Sequence, residues 1–373
     1  AAAVEEAARA AVAGYGGDAG GRLADPAALE AIDRRLRRGT ERFGEGVAWA
    51  TSVSALETYA TCPFRYFASR VLGLPEPDPA DDDLDAREGG TLLHHVVADV
   101  FAALRDEGLL PLAGGQRAER EQAVALAAAE AALAGWEASE RTGPEPLWRL
   151  RREQVRITVL RLLESELRAA SELVPSVFEV PFGEEGAAPL LLPAPEGGER
   201  IAVRGRIDRI DRAPDGSAVE VIDYKSGGVD DRVKGEELCR SSFQLPVYAA
   251  WARQESGAER VDAALRSLKD GERSRTLLEA CQKSEVPLGV LIDPDPERRR
   301  MARNGERVAP AAGAHGLPED GDPNLADTAW AFLYAMRAGR FDVAPWPAPG
   351  KGQKQACTWC SFGAVCRVGG GGA

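Results

Sequence analysis

Lysine, histidine and methionine are the scarce residues of this 373-residue chain. Six lysines stand among 46 basic residues, so arginine carries nearly all the positive charge and each lysine marks a position where a compact ammonium replaces the usual planar fork. Histidine is limited to His94, His95 and His315, too few and too scattered for a histidine-rich zinc site. A basic excess is missing too: 46 basic against 59 acidic residues leave a net charge of −13. That is the wrong sign for coating nucleic acid by bulk attraction, so any such contact has to be local. No run approaches the ~20 apolar residues of a bilayer crossing, and no membrane partner is expected. Nothing matches a phosphate-cradling GxxxxGK[ST] loop, which excludes a nucleotide motor in the chain as given. The opening AAAVEEAARAAVAG lacks a basic flank and an apolar core, so it is no secretory signal and a cytoplasmic location is expected. Starting on Ala instead of Met points to a piece of a longer polypeptide. In a reducing compartment the six cysteines are metal ligands or core residues rather than disulfides.

With 44% apolar and 28% charged residues, what remains is a soluble globular chain long enough for one elaborated domain plus an appendage. Residues 1–50 read as Ala/Glu/Arg helices interrupted by GYGGDAGG, a helical appendage and possible tail of a preceding domain. From Ser54 a helix is expected, capped by Ser54 with Glu57 three positions on, and carrying LETYATCPFRYFASRVLGL. The acidic, Pro-rich PEPDPADDDLD reads as a solvated loop, and a second helix follows Gly90. Helical patterns over 116–141 and 146–173 read as an inserted bundle. After Pro175 the pattern turns to strands: SVFEVPF, IAVRGRIDRI and AVEVIDYK, the last two flanking the turn APDGS. A helix near 242–254 tolerates Pro246 in its first turn. A strand at 261–268, a poorly patterned region to about 322, a helix at 325–338 and a Cys-rich, GGGG-containing tail complete the chain.

The hairpin makes the sharpest statement. If Asp215 and Gly216 centre its turn, paired positions sum to 431 and Asp208 sits opposite Asp223. Opposed Cβ atoms lie about 4.5–5.5 Å apart on one face, where two like charges destabilise unless something positive lies between them. Period 2 puts Lys225 on the face of Asp223, with Ile222 and Tyr224 on the other. Two carboxylates suit a hard cation such as Mg²⁺, which activates water and polarises a phosphodiester, and a neighbouring ammonium orients the water or steadies developing charge. The plainer reading of an isolated D-x-K is a surface ion pair; the opposed Asp208 argues against it.

GTLLHH at 90–95, GRID at 205–208, DYK at 223–225 and QLPVY at 244–248 resemble, in order and context, the PD-(D/E)XK nucleases of the RecB/AddB branch, over roughly residues 54–368. The resemblance implies an α/β, restriction-endonuclease-like core, a mixed central sheet flanked by helices. It implies a metal-dependent DNA nuclease using Mg²⁺ or Mn²⁺, with His94, Asp208 and Asp223 as metal ligands and Lys225, Gln244 and Tyr248 completing the catalytic set. The substrate would be single-stranded DNA or a duplex end, processed with a helicase-nuclease partner subunit during double-strand break repair. The expected domain is 51–368 with an insertion at about 110–173, then a flexible tail at 369–373. A non-catalytic DNA scaffold and a free-standing exonuclease of the same superfamily are the rival readings; a scaffold gains nothing from facing carboxylates.

Helical spacing separates the two histidines: His94 lies at the edge of the stripe of Leu93, Val96, Val97, Val100, Phe101 and Leu104, and His95 points away. Gln244 and Tyr248 share a helix face at i, i+4, where simple packing is the alternative. Glu179 in FEVPF is a further candidate acidic ligand, although a strand Glu is usually solvated. Cys357, Cys360 and Cys366 form a three-thiolate cup with Cys62 as the natural fourth. Structural zinc more often shows two C-x₂-C knuckles; one distant Cys plus C-x₂-C-x₅-C resembles the 4Fe-4S arrangement of AddB-type nucleases. Such a cluster would staple the two ends of the module together. Cys239 and Cys281 read as ordinary core or surface thiols. Arg149, Arg151 and Arg152, and Arg298, Arg299 and Arg300, are the local basic segments open to nucleic acid or simply solvated.

Overall fold

The computed structural model describes residues 21–75, 86–139, 142–169, 171–184, 186–195, 197–302 and 324–343, with Cys357, Cys360, Ser361, Phe362 and Cys366 beyond them. Most of GYGGDAGG, nearly all of the acidic loop, His315 and the Gly-rich tail lie outside these residues. In chain order come α1 (Pro26–Leu36), β1 (Val47–Ser52), α2 (Val53–Thr61), α3 (Pro63–Tyr66) running into a π turn at Phe67–Val71, α4 (Ala86–Asp106), α5 (Ala118–Ser139) and α6 (Glu145–Ala169). Then follow β2 (Val174–Phe182), β3 (Leu190–Pro193), β4 (Arg200–Arg212), β5 (Ala218–Lys225), α7 (Gln244–Ser256), β6 (Arg260–Ser267), α8 (Leu277–Lys283), α9 (Leu288–Ile292), α10 (Pro296–Ala302) and α11 (Leu325–Arg337).

Strand β4 organises the sheet because it is long enough to serve two sets of partners. Its first half pairs parallel with β1 and antiparallel with β3. Its second half pairs antiparallel with β2 and β5, and β5 pairs parallel with β6. The result is a mixed sheet in the order β1-β4-β5-β6, of restriction-endonuclease-like form. Each face of β5 feeds a different apolar layer, as period 2 requires: Val219 and Val221 join the layer of α2, α7 and α11, while Ile222 and Tyr224 join that of α4, α5 and α6. With both faces covered, β5 is buried along almost its whole length.

Several expectations shift. The chain from Arg22 on is no appendage: Ile32, Leu36, Ala48 and Trp49 belong to the main core, and VAWATS is a strand. β1 passes directly into α2 with no turn residues, which hid it. The cap of α2 is Ser52, not Ser54: Ser52 is extended and its hydroxyl accepts from the Ala55 amide at 3.3 Å. α4 begins at Ala86, ahead of Gly90. The stretch from 270 to 302, read as poorly patterned, holds three short helices, with α8 closed by a Thr276/Glu279 capping box. Arg299 is buried against Asp327 at 2.8 Å and donates to two backbone carbonyls, so it fastens α10 to α11 and is unavailable to nucleic acid.

The helical insertion is tied to the sheet by charge. Arg209 of β4 is buried with both edges of its guanidinium engaged, by Asp211 at 2.6 and 2.7 Å and by Glu166 of α6 at 2.7 and 3.1 Å. Glu166 also meets Arg266 of β6 at 2.5 Å. Burial alone would push Glu166 up, but the two guanidiniums outweigh it and hold its carboxyl below the usual range. Its stabilisation is therefore present above the ordinary Glu pKa and is lost as acid titrates it below that range. Glu166→Ala, which takes the carboxylate from buried Arg266 and strips one edge of Arg209, is expected to destabilise the chain by about 3–5 kcal/mol in urea unfolding, and the deficit relative to wild type should shrink at acidic pH.

Candidate active site

The β4–β5 pairing runs Arg209↔Ile222, Ile210↔Val221, Asp211↔Glu220 and Arg212↔Val219, every pair summing to 431. The backbone ladder stops one step short of Asp208 and Asp223. There the Tyr224 amide donates to Asp208 Oδ2 at 2.7 Å, a side-chain acceptor taking the place of a carbonyl. The pleat slips at the same point: Ile207 and Ile210, three residues apart, enter the same apolar layer, and so do Val177 and Val180 of β2. Glu179, between the latter two, has a left-handed φ of 48°. A non-glycine residue there is strained, and such strain gathers at functional sites. The slip brings Glu179 together with Asp208 and His94, one ligand atom from each lying within 4.8 Å of the others.

His94 reaches this group from α4, its Nδ1 3.2 Å from Asp208 Oδ1, while His95 is exposed beside Trp136. Burial opposes charge on His94, but the hydrogen bond and charge of Asp208, with Asp223 and Glu179 behind it, raise its pKa. On the other side, Asp223 is 2% exposed. Its Oδ1 accepts from Gln244 Nε2 at 2.6 Å, and its Oδ2 lies 2.7 Å from Lys225 Nζ. That ammonium is the charge partner of Oδ2 in an otherwise buried carboxylate. Burial first, then the Asp208 carboxylate, hold the Asp223 carboxyl well above the usual range, with Lys225 pulling the other way. Burial and Asp208 also raise Glu179. Asp223 and Glu179, both raised by burial and by the Asp208 charge, gather with His94 around Asp208 in a donor set that fits a divalent cation.

Gln244 fixes the remaining geometry. Its Oε1 accepts from Lys225 Nζ at 2.6 Å while its Nε2 serves Asp223 and, at 3.3 Å, the Tyr248 hydroxyl. Tyr248 is buried beneath it, so any influence of the ring on a strand passes through Gln244. The free amides at the start of α7, Phe243 and Gln244, both donate to Glu57 Oε1, at 3.0 and 3.2 Å. Glu57 thus caps α7 across the molecule instead of closing its own helix. Two open clefts flank the group. One, of about 560 Å³, is bordered by Gly90, His94, Glu179 and Asp208, the other, of about 410 Å³, by Lys225, Arg232, Lys234 and Gln244. Of the three candidate arginines on α6, Arg149 pairs with Glu145 and Arg152 with Glu130, whereas Arg151 lies against Gly89 near the first cleft.

The cysteines converge from both ends of the fold. After α11 the chain lies along α2 and α3: Tyr59 donates to the Arg340 carbonyl at 2.8 Å and Phe64 to that of Asp342 at 3.2 Å. Cys62 sits at the α2–α3 junction with the amides of Arg65 and Phe64 directed at its sulfur. Burial pushes its thiol up to about 11, and Cys360 and Cys357 add to the rise. Cys357 is raised by burial and by Cys366 and Cys360. Cys360 and Cys357 thus lie near Cys62, and Cys366 and Cys360 near Cys357, although among the described residues the four sulfurs are not drawn into one ligand group as His94, Glu179 and Asp208 are. Cys239 and Cys281 are core thiols.

A family model described as the PD-(D/E)XK nuclease superfamily matches residues 50–367. The chain belongs to this superfamily. It is 28% identical to an ATP-dependent helicase/deoxyribonuclease subunit of Moorella thermoacetica over 354 residues, covering 84% of this chain and 30% of the relative. A like-named subunit from a Thermoanaerobacter species is 30% identical over 85% of this chain and 30% of its own length. Another, from Symbiobacterium thermophilum, is 35% identical over 57% and 19% respectively. The chain therefore spans less than a third of these relatives. No helix among the described residues of this superfamily member is long and apolar enough to cross a membrane.

Sequence reasoning missed the role of Glu57, because a local Ser-x-x-Glu pattern explained it too well. It undervalued Glu179, whose signal is a backbone conformation that no residue pattern displays. Mn²⁺ is expected to raise the melting temperature of wild type more at pH 8 than at pH 6, because the ion must displace protons held by the raised pKa values of His94, Asp223 and Glu179. By linkage, a carboxyl raised on folding weakens the metal-free protein as pH climbs from the unfolded toward the folded pKa, and a bound cation reverses that loss. Asp208→Asn should abolish the Mn²⁺ shift in a thermal-melt titration; an undiminished shift would place the ion elsewhere.

Proposed function

We propose that the chain is the nuclease module of a helicase–deoxyribonuclease subunit, hydrolysing DNA phosphodiesters with Mg²⁺ or Mn²⁺. The observation that carries this reading is the meeting of Asp208, Asp223, Glu179, His94 and Lys225 at the point where the β4–β5 ladder ends. Asp208 and Asp223, with His94 and Glu179 on the cleft side, would hold the cation. When bound, that ion supplies Lewis-acid polarisation and a water of lowered pKa. Lys225 keeps an ammonium beside Asp223, where it orients the attacking water and offsets charge developing on the phosphoryl oxygens. Gln244 holds Lys225 and Asp223 in one arrangement, Tyr248 backs Gln244, and Glu57 fixes the turn of α7 from which Gln244 projects.

The names of the relatives support DNA as substrate and a helicase as partner; a single strand or duplex end delivered during double-strand break repair is what the resemblance to the RecB/AddB branch adds. Cys62, Cys357, Cys360 and Cys366 would hold a 4Fe-4S cluster, the reading favoured by one distant cysteine joined to a C-x₂-C-x₅-C cup. Its role is structural, since it closes the chain between the two ends of the module.

Labelled single-stranded DNA should be degraded by wild type in Mg²⁺ or Mn²⁺, and Asp223→Ala and Lys225→Ala should each slow cleavage by at least about 100-fold. Equal degradation by wild type and Asp223→Ala would mean a contaminant, and an inactive wild type would favour a scaffold. Cys360→Ser is expected to lose the visible iron–sulfur absorbance and up to about 5 kcal/mol of stability from the opened loop. A variant of unchanged colour and melting temperature would remove the cluster.

A further inference from the structure

Arg204, Arg206 and Asp208 occupy alternate positions of β4, so the pleat lines them up along the strand. Arg206 borders the cleft of His94, Glu179 and Asp208. Arg204 lies four residues from Asp208, about 13 Å along a strand, and opens onto a separate cavity of about 230 Å³. Arg35 and Arg38 from the end of α1 and Arg70 from the π turn line the same cavity, together with Thr51 and Ser52. No carboxylate among the described residues lines it, although Glu184 pairs with Arg204 from outside.

Apart from Arg204, these cations meet no carboxylate among the described residues. Among the described residues Arg35 reaches the carbonyl of Arg70, at 3.4 and 3.3 Å, and Arg70 reaches the Ser54 hydroxyl at 3.2 Å. Arg38 is exposed. Thr51, 3% exposed, has a hydroxyl with no hydrogen-bond partner among the described residues. The nine-residue helix α2 starts at the same cavity, where Ser52 and Ala55 line the wall, and adds the partial positive charge of its N-terminus. Guanidinium forks arriving from three directions, a hydroxyl donor and a helix start suit a tetrahedral oxyanion. In a chain of net charge −13 such a concentration of arginine is a local exception of the kind nucleic-acid contact demands.

We propose that the pocket of Arg35, Arg38, Arg70 and Arg204 holds a backbone phosphate of the nucleic-acid strand, a few nucleotides from the bond cleaved at Asp208 and Asp223. The assignment to a strand rests on the nuclease reading above, and the row from Arg204 through Arg206 marks the path between the two sites. Free phosphate shares the same chemistry and is the competing source.

The test measures binding of fluorescent single-stranded oligonucleotides to the 373-residue chain without divalent cations, over a series of salt concentrations. Arg38→Gln and Arg70→Gln are each expected to lower the log–log salt slope by about 1 for a long oligonucleotide. Arg38→Lys should restore it, and Mn²⁺-dependent cleavage of a dinucleotide, too short to span both sites, should stay at the wild-type rate. Unchanged slopes in both glutamine variants would overturn the proposal. Inorganic phosphate that stabilises wild type but not the variants, with oligonucleotide binding unaltered, would assign the pocket to free phosphate and overturn the strand placement. Wild type that binds with the expected slope but cleaves no substrate would refute the nuclease reading and leave the phosphate pocket supported. If Arg70→Gln fails to fold, the exposed Arg38 decides the outcome alone.

Discussion

Two carboxylates brought close where a β-hairpin ladder gives out are the constraint around which the site is built. Asp208 and Asp223 repel, and burial makes that repulsion expensive, so the surroundings have to supply positive charge without filling the space between them. Lys225 does so from the same strand and His94 from the opposite layer. Gln244 then locks the ammonium to one carboxylate. Burial and the Asp208 charge still hold Asp223 and Glu179 above the usual carboxylate range, a load that a divalent cation would relieve.

Holding that arrangement needs rigidity from distant parts of the chain. β4 spans both halves of the sheet, and the buried Arg209 ties it to α6, so the helical insertion is fastened one residue from Asp208. From the other side, α2 supplies Glu57 to the start of α7 and ends at Cys62. A single short helix therefore touches the arginine-lined pocket at its beginning, the catalytic support in its middle and the cysteine group at its end.

Much of the site was legible because it depends on short-range rules. The turn APDGS dictates a pairing sum of 431, period 2 then puts Lys225 beside Asp223, and helical spacing turns His94 inward and His95 outward. The Cys-x₂-Cys-x₅-Cys cup is a local spacing as well. Strands β1 and β3 escaped notice because VAWATS runs into a helix without a turn and LLLP is only four residues long. Both acquire strand form by pairing with β4, an event that local propensity does not encode.

The amino-acid order by itself determined that Lys225 shares a strand face with Asp223 and that His94 turns inward, since hydrogen-bond register and helical periodicity operate over a few residues. The tertiary structure alone decided that Glu57 caps a helix nearly two hundred residues away and that Glu179 strains its backbone to join Asp208 and His94. It also decided that Arg299 is a buried clasp while Arg35, Arg38, Arg70 and Arg204 share one cavity. These outcomes turn on how desolvated charges find partners in three dimensions, and burial, which sets the strength of every such pairing, exists only once the chain has folded.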